Sequence, residues 1–222
     1  SITIDKPISV PSLGLKFVDS TKIDPSAILQ LYAQHTVGSI RTAEELRRYL
    51  VIPNTRVFTA WDAQNRLKAY AVEGKGADLK GYIHEWGGGV SELLALFSHA
   101  RQVLNAPTTV ILPRSAQNMR TRLLELAPHV NYGYLGMIRP LHTEGLILKA
   151  KRYALSLGVK DFVLEKRDDG TFVFGRGVDL FETKDLKVFT KVLFGAPDST
   201  HFDSILSPIL PIPMWIWGWD SV

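Results

Sequence analysis

The stretch of residues 81–104 constrains the fold of this chain more than any other. A β-rich run at 81–86 is followed by three consecutive glycines and then by the strongly apolar helical pattern of Val90–Leu104. Because glycine lets a strand meet a helix closely, the glycines predict a short junction between the two elements. A helix that is apolar on most sides is buried, so the pattern predicts a sheet covered by helices.

Two short helices precede this stretch. Asp24 followed by Pro25 predicts a helix start, with an acceptor at the cap and proline in the first turn. Thr42 and Glu45 form a capping box that opens a second helix, and Pro53 ends it.

The remaining pattern of residues 1–140 alternates between strand and helix periods. Residues 1–13 contain two prolines and predict an extended arm. The turn at 62–65 joins two β-rich runs as a hairpin. Ser115 is expected to cap the helix that ends before Pro128. The predicted strands lie at 15–18, 56–61, 67–72, 81–86, 108–112 and 134–138, and the alternation of the later ones with helices predicts partly parallel pairing.

The pattern changes after residue 140. Thr143 predicts a helix through Leu157, which Gly158 ends, and Asp168-Asp169-Gly170 predicts a hairpin between strands at 161–167 and 171–175. Thr183 precedes a further helical pattern at 185–194. The last residues, 210–222, hold three of the five tryptophans. We therefore expect two domains, 1–140 and 141–222.

Composition excludes several classes of function. No stretch approaches the roughly 20 apolar residues of a membrane span, and no signal-peptide pattern is present, so we expect a cytoplasmic protein without membrane contact. The six histidines show no ligand spacing, so no metal site is predicted, and no nucleic-acid motif is visible. The net charge of +4 permits an anionic ligand. The tightest basic group, Arg41, Arg47 and Arg48, is expected on the exposed side of a helix.

The order of the predicted elements resembles the fold of GNAT-type N-acetyltransferases. Local resemblances are Ala43–Leu50, the run 56–60 and the pair Gly133-Tyr134 at the last predicted strand. The resemblance covers about residues 14–140. It implies an α+β (α/β) protein with a GNAT-like mixed twisted sheet flanked by helices, acetyl-coenzyme A as cofactor, and a small-molecule or peptide amine as substrate.

The C-terminal part resembles a second feature of known acetyltransferases. Residues 137–139, 168–170 and 192–195 are similar to the sterol-carrier-like tail of bacterial acetyltransferases of the enhanced-intracellular-survival type. Those proteins have two GNAT-like halves before such a tail. The resemblance implies that this chain is the second half with its smaller α+β tail, and that its partner is a missing N-terminal GNAT half or a second copy of itself.

The resemblance also places a cofactor loop at the start of the apolar helix. GNAT enzymes hold the pyrophosphate of coenzyme A on backbone N–H groups at a helix start. The corresponding residues here are Gly87, Gly88, Gly89 and Val90. The family's loop begins with Gln or Arg, whereas this chain has Glu85, so the loop is degenerate. The three glycines are also explained by close packing of a strand against a helix.

Candidate catalytic residues follow from the same resemblance. Glu85 stands where family members place the base for the substrate amine, with His84 beside it on the strand. The terminal carboxylate, which reaches an active site in the enhanced-intracellular-survival type, belongs here to Val222. The helical stretch 119–126 lacks the tyrosine that commonly protonates the leaving thiolate. Two hypotheses remain open: an acetyl-coenzyme A-dependent N-acetyltransferase, or a non-catalytic module that has lost coenzyme A binding.

Overall fold

The structure is a computed structural model that describes residues 1–127, 129–133, 138–195 and 205–220. The chain forms two compact units. Unit 1 contains the described residues of Ser1–Gly133 and of Trp215–Val222, and unit 2 contains those of Tyr134–Met214. The C-terminal tryptophans, which were expected to belong with 141–222, therefore lie in unit 1.

Unit 1 is a mixed sheet with helices, as the predicted α+β fold requires. Its elements are β1 (Ile2–Ile4), β2 (Lys16–Asp19), α1 (Pro25–Tyr32), α2 (Ala43–Leu50), β3 (Arg56–Trp61), β4 (Leu67–Lys75), β5 (Asp78–Gly88), α3 (Val90–Leu104), β6 (Thr108–Val110), α4 (Gln117–Leu126) and β7 (His129–Val130). The strands form a sheet of order β2-β3-β4-β5-β6-β1-β7, and β5–β6 is its parallel pair among antiparallel neighbours. Helix α3, between β5 and β6, makes that parallel connection.

The helix starts follow from their capping residues. The Asp24 side chain accepts a hydrogen bond from the Ser26 N–H, and Thr42 and Glu45 form the predicted capping box. The predicted cap at Ser115 is wrong, because α4 begins at Gln117 after Ala116 and has no side-chain cap.

Helix α3 supplies much of the core of unit 1. Leu93, Leu96, Phe97 and Ala100 are fully buried at the i, i+3, i+4 and i+7 positions of one face. Burying each large apolar side chain contributes roughly 1.5–3 kcal/mol to stability. The apolar sequence of α3 therefore fixes it against the sheet at the end of β5.

The N-terminal segment corrects a prediction. Residues 1–13 were expected to be an extended arm, but Ile2–Ile4 form β1 between β6 and β7. Ile2 pairs with Val110 and with Val130, and it is buried together with Ile4. A strand of three residues is too short to give a periodic signal, so only the partners on both sides reveal it. The predicted strand at 134–138 lies, except for Ile138, outside the described residues.

The described part of unit 2 contains α5 (Thr143–Ser156), β8 (Phe162–Lys166), β9 (Phe172–Arg176), β10 (Asp179–Thr183) and α6 (Leu186–Phe194). These two helices pack with a three-stranded antiparallel sheet of order β10-β9-β8. The hairpin predicted at Asp168-Asp169-Gly170 joins β8 and β9 as expected. Strand β10 was missed, because its side chains are largely exposed and give no strong alternation. None of the helices in the described parts of the chain has the length and apolarity of a membrane span.

Candidate functional site

The predicted base, Glu85, lies at the centre of a buried polar cluster on β5. Its carboxylate is fully buried and faces Arg41, whose two terminal nitrogens donate hydrogen bonds at 2.6 and 2.9 Å. The Tyr70 hydroxyl donates a third hydrogen bond at 3.3 Å. A carboxylate held in this way has little freedom to accept a proton from a substrate amine.

Arg41 was expected on an exposed helix face, and that expectation is wrong. It precedes the capping box of α2, and its side chain is 1% exposed. Its guanidinium stacks over the Tyr32 ring at 4.1 Å and binds a second carboxylate, that of Asp220, at 2.7 and 2.9 Å. Arginine suits this position because its planar guanidinium can bind two carboxylates at once.

Burial and hydrogen bonding shift the pKa values of Glu85 and Arg41 in opposite directions. Burial raises the pKa of Glu85, and the hydrogen bonds from Arg41 oppose that rise. Burial lowers the pKa of Arg41, but the hydrogen bonds to Glu85 and then to Asp220 outweigh it, so the pKa lies above its ordinary value. Because the contacts between Arg41 and Glu85 are short and bidentate, we take both groups to be charged.

Two of the three glycines are part of strand β5, not of a loop. Gly87 faces Tyr70 of β4, whose ring atom would lie 2.6 Å from an added Cβ. Gly88 has φ of 131° and lies against the backbone of Lys68 and Ala69. The close approach of β4 therefore explains both glycines, whereas the sequence had suggested close packing of a strand against a helix.

The third glycine, Gly89, is the N-cap of α3 and forms no side-chain cap hydrogen bond. The carboxylate of Glu92, in the first turn, lies where a Cβ of Gly89 would point. A carboxylate is favourable at the positive end of a helix. It also places negative charge beside Val90, where a pyrophosphate would have to bind. The residues present therefore do not fit the usual coenzyme A grip.

Strands β5 and β6 pair through only two registered positions, Tyr82 with Thr109 and Ile83 with Val110. Beyond them, the Trp86 indole donates a hydrogen bond to the Ile111 carbonyl at 3.0 Å. A cavity lies beside this indole. Its volume of about 190 Å³ is smaller than the roughly 300–1,000 Å³ of ordinary ligand pockets. Its lining includes Gln34, His35, Val90, Gln117, Met119 and Trp217.

The C-terminal segment forms part of the same region. Trp217 is fully buried, and its indole donates to the Val37 carbonyl at 3.2 Å. Its ring lies edge-to-face against Trp86 at 5.2 Å and tilted against His35 at 4.3 Å. The segment thus forms one wall of the cavity. Val222, the second predicted catalytic residue, lies outside the described residues.

His84 contributes to the interior of unit 1 rather than to a cleft. Its Nε2 lies 3.1 Å from the Gly74 carbonyl, which assigns the proton to that nitrogen. The Nδ1 edge of the ring packs on Gly218, where any Cβ would overlap the imidazole. Burial lowers the pKa of His84 to about 4.

This buried histidine predicts a loss of stability in acid. The unfolded chain takes up a proton near pH 6.5, whereas folded His84 stays neutral until about pH 4. The free energy of unfolding of the wild type should therefore fall by about 2 kcal/mol more than that of His84→Gln between pH 7 and pH 5. Urea denaturation at both pH values measures the difference, and equal losses in the two proteins would contradict it.

Sequence reasoning missed Arg41 as the partner of Glu85, and it missed Asp220 as the second carboxylate that Arg41 binds. Arg41 and Asp220 are 44 and 135 residues away from Glu85 in the sequence, and neither stands in a motif. The described parts of the chain contain no group of three potential metal ligands. Helix α4 lacks the tyrosine that commonly protonates the leaving thiolate in GNAT enzymes, and Tyr132, the tyrosine that follows this helix in the sequence, is 75% exposed.

Comparison with known proteins gives one distant likeness. No family model and no curated protein matches the chain. Two structures of an aminoglycoside acetyltransferase from an uncultured soil metagenomic sample, one in complex with trehalose and one with sisomicin, are similar to part of it. Each match covers 58% of this chain and 97% of the other, at 15% identity and TM-scores of 0.42 and 0.41. A likeness this distant assigns neither an activity nor a substrate to the chain.

Proposed function

We propose that this chain is part of an acetyl-coenzyme A-dependent N-acetyltransferase that acts on an amine, and that unit 1 is a GNAT-type module that shapes the enzyme without gripping the cofactor itself. The observation that carries the proposal is the parallel junction of β5 and β6 through α3 in an otherwise antiparallel sheet. This junction follows two helices and a three-stranded meander, the element order that the resemblance implies.

Three features of the site support a shaping role over a catalytic one. The carboxylate of Glu85 is committed to Arg41. Gly87 and Gly88 are packed under β4. Glu92 lies against the start of α3, where an anionic cofactor would need a neutral or positive surface. Catalysis would then belong to a different module of the same enzyme, such as a preceding GNAT half.

The cavity beside Trp86 favours a second candidate, in which unit 1 binds coenzyme A itself. Its wall combines apolar and amide side chains next to the start of α3, which suits an extended acyl chain with amide groups. In this candidate Gly89 and Val90 would still contact the ligand, and Glu92 would have to turn away.

Thermal denaturation with acetyl-coenzyme A separates the two candidates. For a shaping module we expect no rise in Tm at 1 mM ligand, because the folded state does not bind the ligand. Direct binding with a Kd one hundredfold below this concentration would raise the free energy of unfolding by about 2.7 kcal/mol, which gives a clear rise in Tm. A rise would favour direct binding. Gly89→Asp should abolish such a rise while Gly89→Ser keeps it, because both are good N-caps and only aspartate adds charge.

Acetyl transfer itself is tested on the complete reading frame that contains this chain. The proposal expects transfer from acetyl-coenzyme A to an amine by the product of that frame, and none by residues 1–222 alone. Transfer by residues 1–222 alone would contradict the shaping role. An absence of transfer from the complete product across a panel of polyamine, aminoglycoside and peptide amines would contradict the proposed enzyme.

A further inference from the structure

The cavity beside Trp86 has a polar rim and a mostly apolar floor. Exposed side chains with amide groups lie at the rim, among them Gln34, Gln117 and Asn118. Buried or half-buried side chains form the floor, among them His35, Val37, Trp86, Val90, Met119 and Trp217. A ligand that enters this cavity therefore exchanges water for a surface that is mainly aromatic and aliphatic.

The two indoles of the floor offer their rings and not their N–H groups. Trp86 Nε1 donates to the Ile111 carbonyl at 3.0 Å, and Trp217 Nε1 donates to the Val37 carbonyl at 3.2 Å. Both donors are therefore already used within the protein. A further aromatic ring packs favourably against such indoles when the ring centroids lie about 4.5–7 Å apart.

His35 gives the floor a hydrogen-bond acceptor. Its Nε2 lies 2.7 Å from the Trp86 carbonyl, and because a carbonyl can only accept, the proton of the neutral ring is on Nε2. Nδ1 is then the acceptor. It has no hydrogen-bond partner among the described residues, and it is not enclosed by protein as Nδ1 of His84 is. A ligand in the cavity can therefore donate a hydrogen bond to Nδ1 of His35.

Charge and volume limit the ligand further. Among the described residues, no Asp, Glu, Lys or Arg lines the cavity. Burial lowers the pKa of His35, so its ring is neutral at pH 7. A charged ligand would lose its water here without gaining an opposite charge. The volume of about 190 Å³ is slightly larger than the roughly 150 Å³ of an apolar protein cavity that holds one benzene molecule.

We propose that this cavity is a binding site for an uncharged molecule of one aromatic ring that carries a hydroxyl or N–H donor, and that His35 Nδ1 accepts the hydrogen bond of this donor. The ring of the ligand contacts the indoles of Trp86 and Trp217. The inference does not rest on the proposed function, because it needs only the cavity and its lining. It gives the cavity a smaller and uncharged ligand than the second candidate does.

Phenol and toluene test the inference on the whole chain, because their shapes are nearly the same and only phenol has a donor. Titrations are followed by the ¹⁵N–¹H signals of the indoles, since Trp86 and Trp217 line the cavity and Trp61 does not. Phenol should shift the signals of Trp86 and Trp217 more than that of Trp61, with a Kd of about 1 mM or lower. Toluene should bind roughly threefold to tenfold more weakly, which is the effect of one hydrogen bond between neutral groups.

Two variants test the residues of the site. His35→Phe keeps a ring and removes the acceptor, so phenol and toluene should bind it with Kd values within about twofold of each other. His142→Phe is the matched control, because this histidine is 78% exposed and does not line the cavity, and it should keep the preference for phenol. Ala116→Leu fills part of the cavity and should abolish the binding of both molecules.

Benzoate, which adds a charge to the same ring, should not bind. Equal affinity of the wild type for phenol and toluene, binding of benzoate, or a preference for phenol that persists in His35→Phe would overturn the inference. Shifts that are as large for Trp61 as for Trp86, or no shift at about ten times the expected Kd of phenol, would also overturn it. The comparison of the ligands on the wild type decides the matter even where a variant does not fold.

Discussion

Arg41→Met should lower the free energy of unfolding of unit 1 by about 3–5 kcal/mol. The substitution leaves the fully buried carboxylate of Glu85 without its cationic partner, and only neutral donors remain to it, among them the Tyr70 hydroxyl and the Trp219 backbone N–H. Methionine keeps much of the volume of arginine, so the loss comes from the unpaired charge and not from a cavity. Urea denaturation followed by tryptophan fluorescence reports this unit, because all five tryptophans lie in it.

A matched control and a double variant separate this effect from a general loss of arginine. Arg47→Met removes an exposed partner of Glu44 on α2 and should change stability by less than about 0.5 kcal/mol. Adding Glu85→Gln to Arg41→Met removes the unpaired charge and should restore more than half of the loss. If Arg41→Met lowered the free energy of unfolding as little as Arg47→Met does, the buried pair of Arg41 and Glu85 would not stabilise unit 1.

Gly88→Ala should be the second severe substitution, with a loss of about 2–4 kcal/mol. The φ of 131° at this position is one that an L-residue adopts only with strain. An added methyl group would also meet the backbone of Lys68 and Ala69 on the neighbouring strand, and backbone cannot turn aside as a side chain can. The change in the midpoint of urea denaturation measures the loss.

Gly133→Ala is the control for this prediction, because no atom of the described residues lies within 4 Å of its added Cβ. It should leave the midpoint nearly unchanged. A mild Gly88→Ala would mean that β4 and β5 separate easily at this end, and the packing explanation of Gly87 and Gly88 would fail.

These two predictions also decide how the cofactor question is tested. A substitution at Gly88 would remove any activity by unfolding unit 1, so a loss of activity there says nothing about coenzyme A. Gly89 is the informative position, since the atoms nearest to its added Cβ belong to the flexible side chain of Glu92. A charge placed at Gly89 therefore tests the helix start while the sheet stays intact.

The local signals of the sequence were sufficient for most elements of unit 1. The caps at Asp24 and Thr42, the hairpin at 62–65 and the apolar stripe of α3 depend on neighbours within a few residues, and each is present in the structure. The α+β architecture follows from their order. Short elements escaped, because β1 has three residues and derives its stability from partners more than 100 residues away.

The site was predictable only in part. The resemblance to GNAT-type enzymes pointed to Glu85 and the three glycines as the place where chemistry could occur, whereas the glycine pattern alone predicted only a junction between a strand and a helix. Neither could assign their partners. Arg41 belongs by sequence to a basic helix face, and only the folded chain buries its guanidinium between Glu85 and Asp220.

The sequence by itself determined the order of helices and strands and the junction at Gly87, Gly88 and Gly89, since capping, periodicity and glycine geometry act over short distances. Only the tertiary structure decided that Gly87 and Gly88 serve the contact with β4 and that Glu85 is paired. It also decided that Asp220 returns to unit 1. These outcomes depend on which distant groups share a buried site, where an unpaired charge is too costly to remain.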